Sequence, residues 1–148
     1  MMNEEVRSIM ATEVVTVTPE QTVESVVELM LRERLQQLPV VDAEGKLVGV
    51  ITSYDLWRSR REDGKQSEKL PVASVMTTRV IKLAPKDKVG TAAELFMDRR
   101  FKTLPVVNLE GKLKGVVTAF DVIRYCFNKA YPQPILYQEE LASRHFRA

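Results

Sequence analysis

Among 148 residues there is one cysteine, Cys126, and one histidine, His145. A disulfide needs two cysteines and a Cys/His metal site needs several ligands, so neither can be built within one chain. Cys126 lies between Tyr125 and Phe127 and reads as a small apolar core residue. No run of about 18 apolar residues is present, which excludes a membrane-spanning helix. The opening Met1-Met2-Asn3-Glu4-Glu5 is too polar for a signal peptide. A cytoplasmic protein is expected.

Charge of one sign is also lacking. The net charge of +2 gives no electrostatic footprint for nucleic acid or a membrane surface. Arg32-Glu33-Arg34 and Arg60-Arg61-Glu62-Asp63 mix both signs, as solvated helix faces do. Catalytic groupings are missing too. His145 is near the C-terminus, Cys126 has no base nearby in sequence, and Glu44-Gly45-Lys46-Leu47-Val48-Gly49 carries its glycines and lysine in hairpin rather than P-loop order. The expectation is a protein that is not an enzyme, with no metal and no obligatory cofactor.

What is present is a duplication. Residues 6–10 can form one or two helical turns. Residues 14–17 are β-branched and predict a strand that stops at Thr18-Pro19. Thr22 is placed to cap a helix over 23–34, whose Val23, Val26, Val27, Met30 and Leu31 follow the spacing of one buried face. Leu38-Pro39-Val40-Val41 is too short for a helix, and Pro39 suits a strand start or edge because it has no amide donor. A turn at 42–46, with Gly45 suited to positive φ, leads into a returning strand at 47–51. A helix over 52–61 completes the order strand, helix, strand, strand, helix.

After a polar stretch at 62–69 the pattern returns without a gap, 66 residues on. Met76 repeats Met10 and Pro85 repeats Pro19. Leu104-Pro105-Val106-Val107 repeats the first Leu-Pro-Val-Val, and Glu110-Gly111-Lys112-Leu113 repeats the turn. Gly49-Val50-Ile51-Thr52-Ser53-Tyr54-Asp55 returns as Gly115-Val116-Val117-Thr118-Ala119-Phe120-Asp121. One compact unit used twice explains all of these. The organisation is therefore a first unit over 1–61, a linker over 62–71, a second unit over 72–129 and a tail over 130–148. The tail has no counterpart, and 137–141 could form a short helix.

These landmarks, with Met10-Ala11-Thr12 and Met76-Thr77-Thr78, resemble a tandem pair of CBS domains, the regulatory Bateman module. The resemblance implies an α/β (α+β) fold of two units related by a pseudo-two-fold axis, with two ligand clefts between their sheets. It implies an adenosine-containing ligand such as AMP, ADP, ATP or S-adenosylmethionine, of which an adenine nucleotide (AMP, ADP or ATP) is expected here, with a homodimer and a regulated partner protein. A dimeric interaction scaffold without regulatory nucleotide binding is the alternative.

The residues carry part of this chemistry themselves. A carboxylate can accept hydrogen bonds from both hydroxyls of a ribose, which suits Asp55 and Asp121. Thr52 and Thr118 can donate to a phosphate beside a helix N-terminus. The bland alternative is a capping box, Thr-x-x-Asp, at each helix start. Gly49 and Gly115 would let a ligand approach the backbone. By family resemblance, Val14 and Val80 line the adenine pocket, Lys102 serves the cleft of Asp55, and Gln36 faces the cleft of Asp121. Arg58 and Arg124, one turn beyond each Asp, are candidates for phosphate charge or plain surface. Tyr54 and Phe120 are expected to pack.

Overall fold

The computed structural model describes residues 2–131. Its elements run α1 (Val23–Glu33), β1 (Gln37–Val41), β2 (Leu47–Thr52) and α2 (Ser53–Asp63), then α3 (Val89–Phe96), β3 (Thr103–Val107), β4 (Leu113–Thr118) and α4 (Ala119–Ala130). Short 3-10 turns lie at Val6–Ser8, Gly64–Lys69 and Val72–Ser74. The polar stretch between the repeats is thus helical rather than open loop, and its Ser67 is buried. The expected terminal helix at 137–141 lies outside the described residues.

Each hairpin is antiparallel in the same register, with Pro39 opposite Val50 and Pro105 opposite Val116. Gly45 and Gly111 turn the hairpins at φ of 81° and 83°, a region that costs glycine nothing because it has no Cβ. The Thr22 side chain accepts from the Ser25 N–H and caps α1 as expected, whereas its counterpart Lys88 provides no such cap. Leu31 departs from the predicted buried face: it is 75% exposed, while Val23, Val26 and Met30 are buried. α1 ends at Arg34 in the left-handed conformation, φ 58°.

The predicted strand over 14–17 is also not formed. Only Val17 joins β1, its N–H donating to the Pro39 carbonyl (3.1 Å) and its carbonyl accepting from the Val41 N–H (2.9 Å). The next rung of a parallel ladder would need the N–H of residue 39, and proline has none. The chain therefore lifts off β1 before Val17. Leu83, Pro105 and Val107 repeat the same arrangement at 2.9 and 2.8 Å, so residues 78–82 also run free of a ladder.

The units exchange their opening turns. Val6, Ile9 and Met10 pack into the core built from Leu83, Val89, Leu104, Val106 and Val117. Val72, Val75 and Met76 pack into the core of Val17, Val26, Leu38, Val40 and Ile51. The Val6 N–H donates to the Asp87 carbonyl (2.7 Å) and the Val72 N–H to the Gln21 carbonyl (2.8 Å). Val6 and Val72 are fully buried, and each such side chain contributes about 1.5–3 kcal/mol relative to exposure. The pair is thereby one cooperative body rather than two beads on a linker.

The same exchange explains two glycines. Thr77 pairs with Val50 of β2, and Ala11 pairs with Val116 of β4. A Cβ at Gly49 would stand 2.8 Å from the Thr77 carbonyl oxygen and from Met76 Sδ. One at Gly115 would stand 2.7 Å from the Ala11 carbonyl oxygen. The close approach expected of a ligand is thus made by the other repeat's backbone. Gly49→Ala and Gly115→Ala should each destabilise the fold by about 1–3 kcal/mol through overpacking. Urea unfolding measures this, and a change within error would contradict the close crossing.

Candidate functional site

The lift-off from β3 leaves space between the units. A cleft of about 200 Å³ is bounded by Thr52 and Val50 of one unit and by Val80, Ile81, Leu104 and Pro105 of the other. Thr77, Arg79, Arg100, Phe101, Thr103 and Gln37 complete it. Val80 and Thr52, both expected in a site, are therefore brought together across the pair. The cleft is smaller than the roughly 300 Å³ at the low end of small-molecule sites, so a nucleotide would project partly into solvent. Apolar walls with a hydroxyl and guanidinium groups fit a base flanked by an anion.

Behind Thr52 and Thr77 lies Asp55, 1% exposed. Its Oδ2 accepts from the Thr52 N–H (3.0 Å) while Thr52 Oγ1 accepts from the Asp55 N–H (3.1 Å). Asp121 and Thr118 form the same reciprocal pair at 2.8 and 3.1 Å. The capping box is thus complete at both helices. Each Thr hydroxyl accepts one bond and keeps its own hydrogen to donate, so capping leaves Thr52 able to meet a ligand oxygen.

The two carboxylates differ in their remaining partners. Thr77 Oγ1 donates to Asp55, 3.1 Å from Oδ1 and 3.3 Å from Oδ2. The counterpart of Thr77 is Ala11, which has no hydroxyl, and Asp121 is 8% exposed. Arg58 and Arg124 both fold back on their own Asp, with N–O distances of 3.3 and 3.0 Å. They also cover Tyr54 and Phe120, whose rings lie 5.8 and 5.3 Å from the guanidinium carbons. Tyr54 and Phe120 are otherwise exposed rather than packed.

Lys102, expected to serve the cleft of Asp55, does not line this one, and Gln36, expected at the cleft of Asp121, borders the groove between α1 and α2. The Lys102 carbonyl accepts from the Ala119 N–H (3.2 Å) and the Gln36 carbonyl from the Ser53 N–H (2.9 Å), so each sits at the foot of its own unit's last helix. Side chains alternate along extended chain, so the neighbours Phe101, Thr103 and Gln37 face the cleft instead. Gln37 Nε2 donates across the pair to the Thr103 carbonyl (3.3 Å). Val14 is half-buried on the extended segment that follows Ala11.

Arg79 is the cation that the sequence reading missed. No described residue forms an ion pair or hydrogen bond with it. Arg100 is engaged: its Nη2 lies 2.7 Å from Asp98 Oδ2. Hydrogen bonds from the Arg100 side chain and backbone hold the Asp98 carboxyl at about 2, below its ordinary value. The signal for Arg79 lay in the residue directly after the Met76-Thr77-Thr78 landmark.

The CBS domain family matches residues 6–56 and 72–128. The chain belongs to the CBS domain family, as a tandem pair. It is similar to the inosine-5'-monophosphate dehydrogenase of Aquifex aeolicus, 34% identical over 119 residues, covering 80% of this chain and 23% of the dehydrogenase. The chain thus spans about a quarter of that relative's length. Its fold is similar to CBSX2 of Arabidopsis thaliana crystallised with AMP, at TM-score 0.76 and 28% identity, covering 85% of this chain and 98% of that one. It is also similar to the CBS domain pair of MJ0100, crystallised with 5'-methylthioadenosine and S-adenosyl-L-methionine, at TM-score 0.71 and 25% identity, covering 85% and 98%.

The missing donor at Pro105 gives a direct test of how the cleft is held open. Pro105→Ala supplies an N–H that can complete the ladder to residue 81. That amide should become protected from hydrogen exchange as the strand zips. An amide exchanging as fast as one in open loop would show that something else holds the strands apart.

Proposed function

We propose that this chain is a regulatory module that binds an adenine nucleotide (AMP, ADP or ATP) between its two CBS units and passes occupancy to a partner protein in the cytoplasm. The observation that carries the reading is the cleft that joins Thr52 of one unit to Val80 and the unpaired Arg79 of the other. Asp55 stands behind Thr77, and moving that hydroxyl aside would free carboxylate oxygens for ribose. The AMP held by CBSX2 supports the same ligand class here. Transmission requires that the ligand prefer one form of the module over another.

Thermal unfolding with adenosine phosphates, guanosine phosphates and S-adenosylmethionine tests the reading. A true ligand at about 100 times its dissociation constant adds about 2.7 kcal/mol. Adenosine phosphates should do so in the parent and not in Asp55→Ala plus Asp121→Ala. No response to any adenosine phosphate in the parent would sink the proposal and leave the scaffold reading.

Self-association belongs to both readings. Leu31 and Trp57 are 75% and 70% exposed, and their repeat counterparts Met97 and Ile123 are 84% and 63% exposed. Leu31 and Trp57 border a groove of about 460 Å³ between α1 and α2. An apolar face repeated at equivalent positions suits an isologous contact with a second copy. Trp57→Glu should convert a dimer to a monomer in light scattering, and an unchanged dimer would exclude this face.

A further inference from the structure

The exchange of opening turns brings the equivalent residues of the two repeats to equivalent places, and the two sets are not chemically alike. Thr77 pairs with Val50 through reciprocal hydrogen bonds of 2.9 and 2.8 Å, and Ala11 pairs with Val116 through bonds of 2.9 and 3.0 Å. The residue two positions further along each crossing segment is Arg79 in one case and Glu13 in the other. Both side chains are exposed, and neither pairs with a described residue. Arg34 stands in sequence where Arg100 stands, so the charge difference rests chiefly on position 79 against 13. Opposite signs at one place invert the interaction with a phosphate, since the Coulomb energy changes sign with the charge. The two also differ at Thr77 against Ala11: Asp55 accepts from a hydroxyl that Asp121 lacks, and Asp121 is held by the Thr118 N–H and by Arg124.

We propose that the two clefts discriminate by charge: the Arg79 cleft takes the phosphate-bearing ligand and the Glu13 cleft excludes it. One chain then binds one adenosine phosphate despite its two repeats. This rests on the adenine-nucleotide reading above and adds a stoichiometry and a selecting residue to it.

Calorimetric titration of the full chain with AMP tests it, with Arg79→Glu and Glu13→Arg as variants. Both substitutions are at exposed positions, and unfolding curves verify that each variant folds. The parent should bind one AMP per chain. Arg79→Glu should weaken that site about ten-fold or more, as loss of a charged contact does. Glu13→Arg should raise the stoichiometry to two. Raising salt should weaken the parent's binding, because an exposed charge contact is screened. Two equal sites in the parent, or an Arg79→Glu variant that binds as the parent does, would overturn charge discrimination while leaving nucleotide binding intact. Absence of any AMP, ADP or ATP binding to the parent would instead overturn the underlying reading.

Discussion

The arrangement depends on a hydrogen bond that proline cannot make. Pro39 and Pro105 sit in the middle of β1 and β3, each with a carbonyl that anchors the incoming chain at Val17 or Leu83. The next donor in each ladder is absent, so the chain leaves the sheet there instead of zipping along it. An extended segment that would otherwise be a buried edge strand becomes one wall of a cleft. The segments that rise away then cross to the other unit, where Thr77 and Ala11 pair with β2 and β4 at the glycines. Opening the cleft and tying the units together are two results of one local defect.

This economy bears on how a capping residue can also serve a ligand site. The Thr-x-x-Asp step closes a helix N-terminus whose first amides have no intrahelical partner. Its threonine fills that role with an oxygen lone pair and retains a hydrogen to donate. Asp55 is more committed, since Thr52, Thr77 and Arg58 all reach it. Capping and recognition therefore share the threonine easily and the carboxylate only if Thr77 rearranges.

Much of the fold was legible because repetition multiplies weak signals. A single Leu-Pro-Val-Val or Thr-x-x-Asp is ambiguous, yet the ungapped return of each fixed the units, their hairpins and their capped helices. The strand over 14–17 failed because β propensity describes the segment alone, whereas pairing depends on Pro39, more than twenty residues away in sequence. Leu31 was misjudged because helical spacing finds an apolar stripe without saying how wide its cover is. In the cleft, Thr52 and Val80 stand where a site was expected, whereas Lys102 lies one residue from Phe101 and Thr103, which line it. Alternation along a strand makes that small error a change of side. Arg79 escaped notice because it differs between the repeats, and the reading was built from what they share.

The duplication has thus kept its hairpins and helix caps alike while its charges diverged. Gly49 and Gly115, or Thr52 and Thr118, are held by geometry that any substitution would disturb. Arg79 and Glu13 are free of such constraint, which lets two copies of one cleft acquire different chemistry. Amide chemical shifts followed by NMR during AMP titration test this inequivalence most directly. The account predicts that Thr77, Arg79, Ile81 and Thr103 move with saturation while Ala11, Glu13 and Val15 stay in place. Matching shifts on both sets, saturating together, would contradict it.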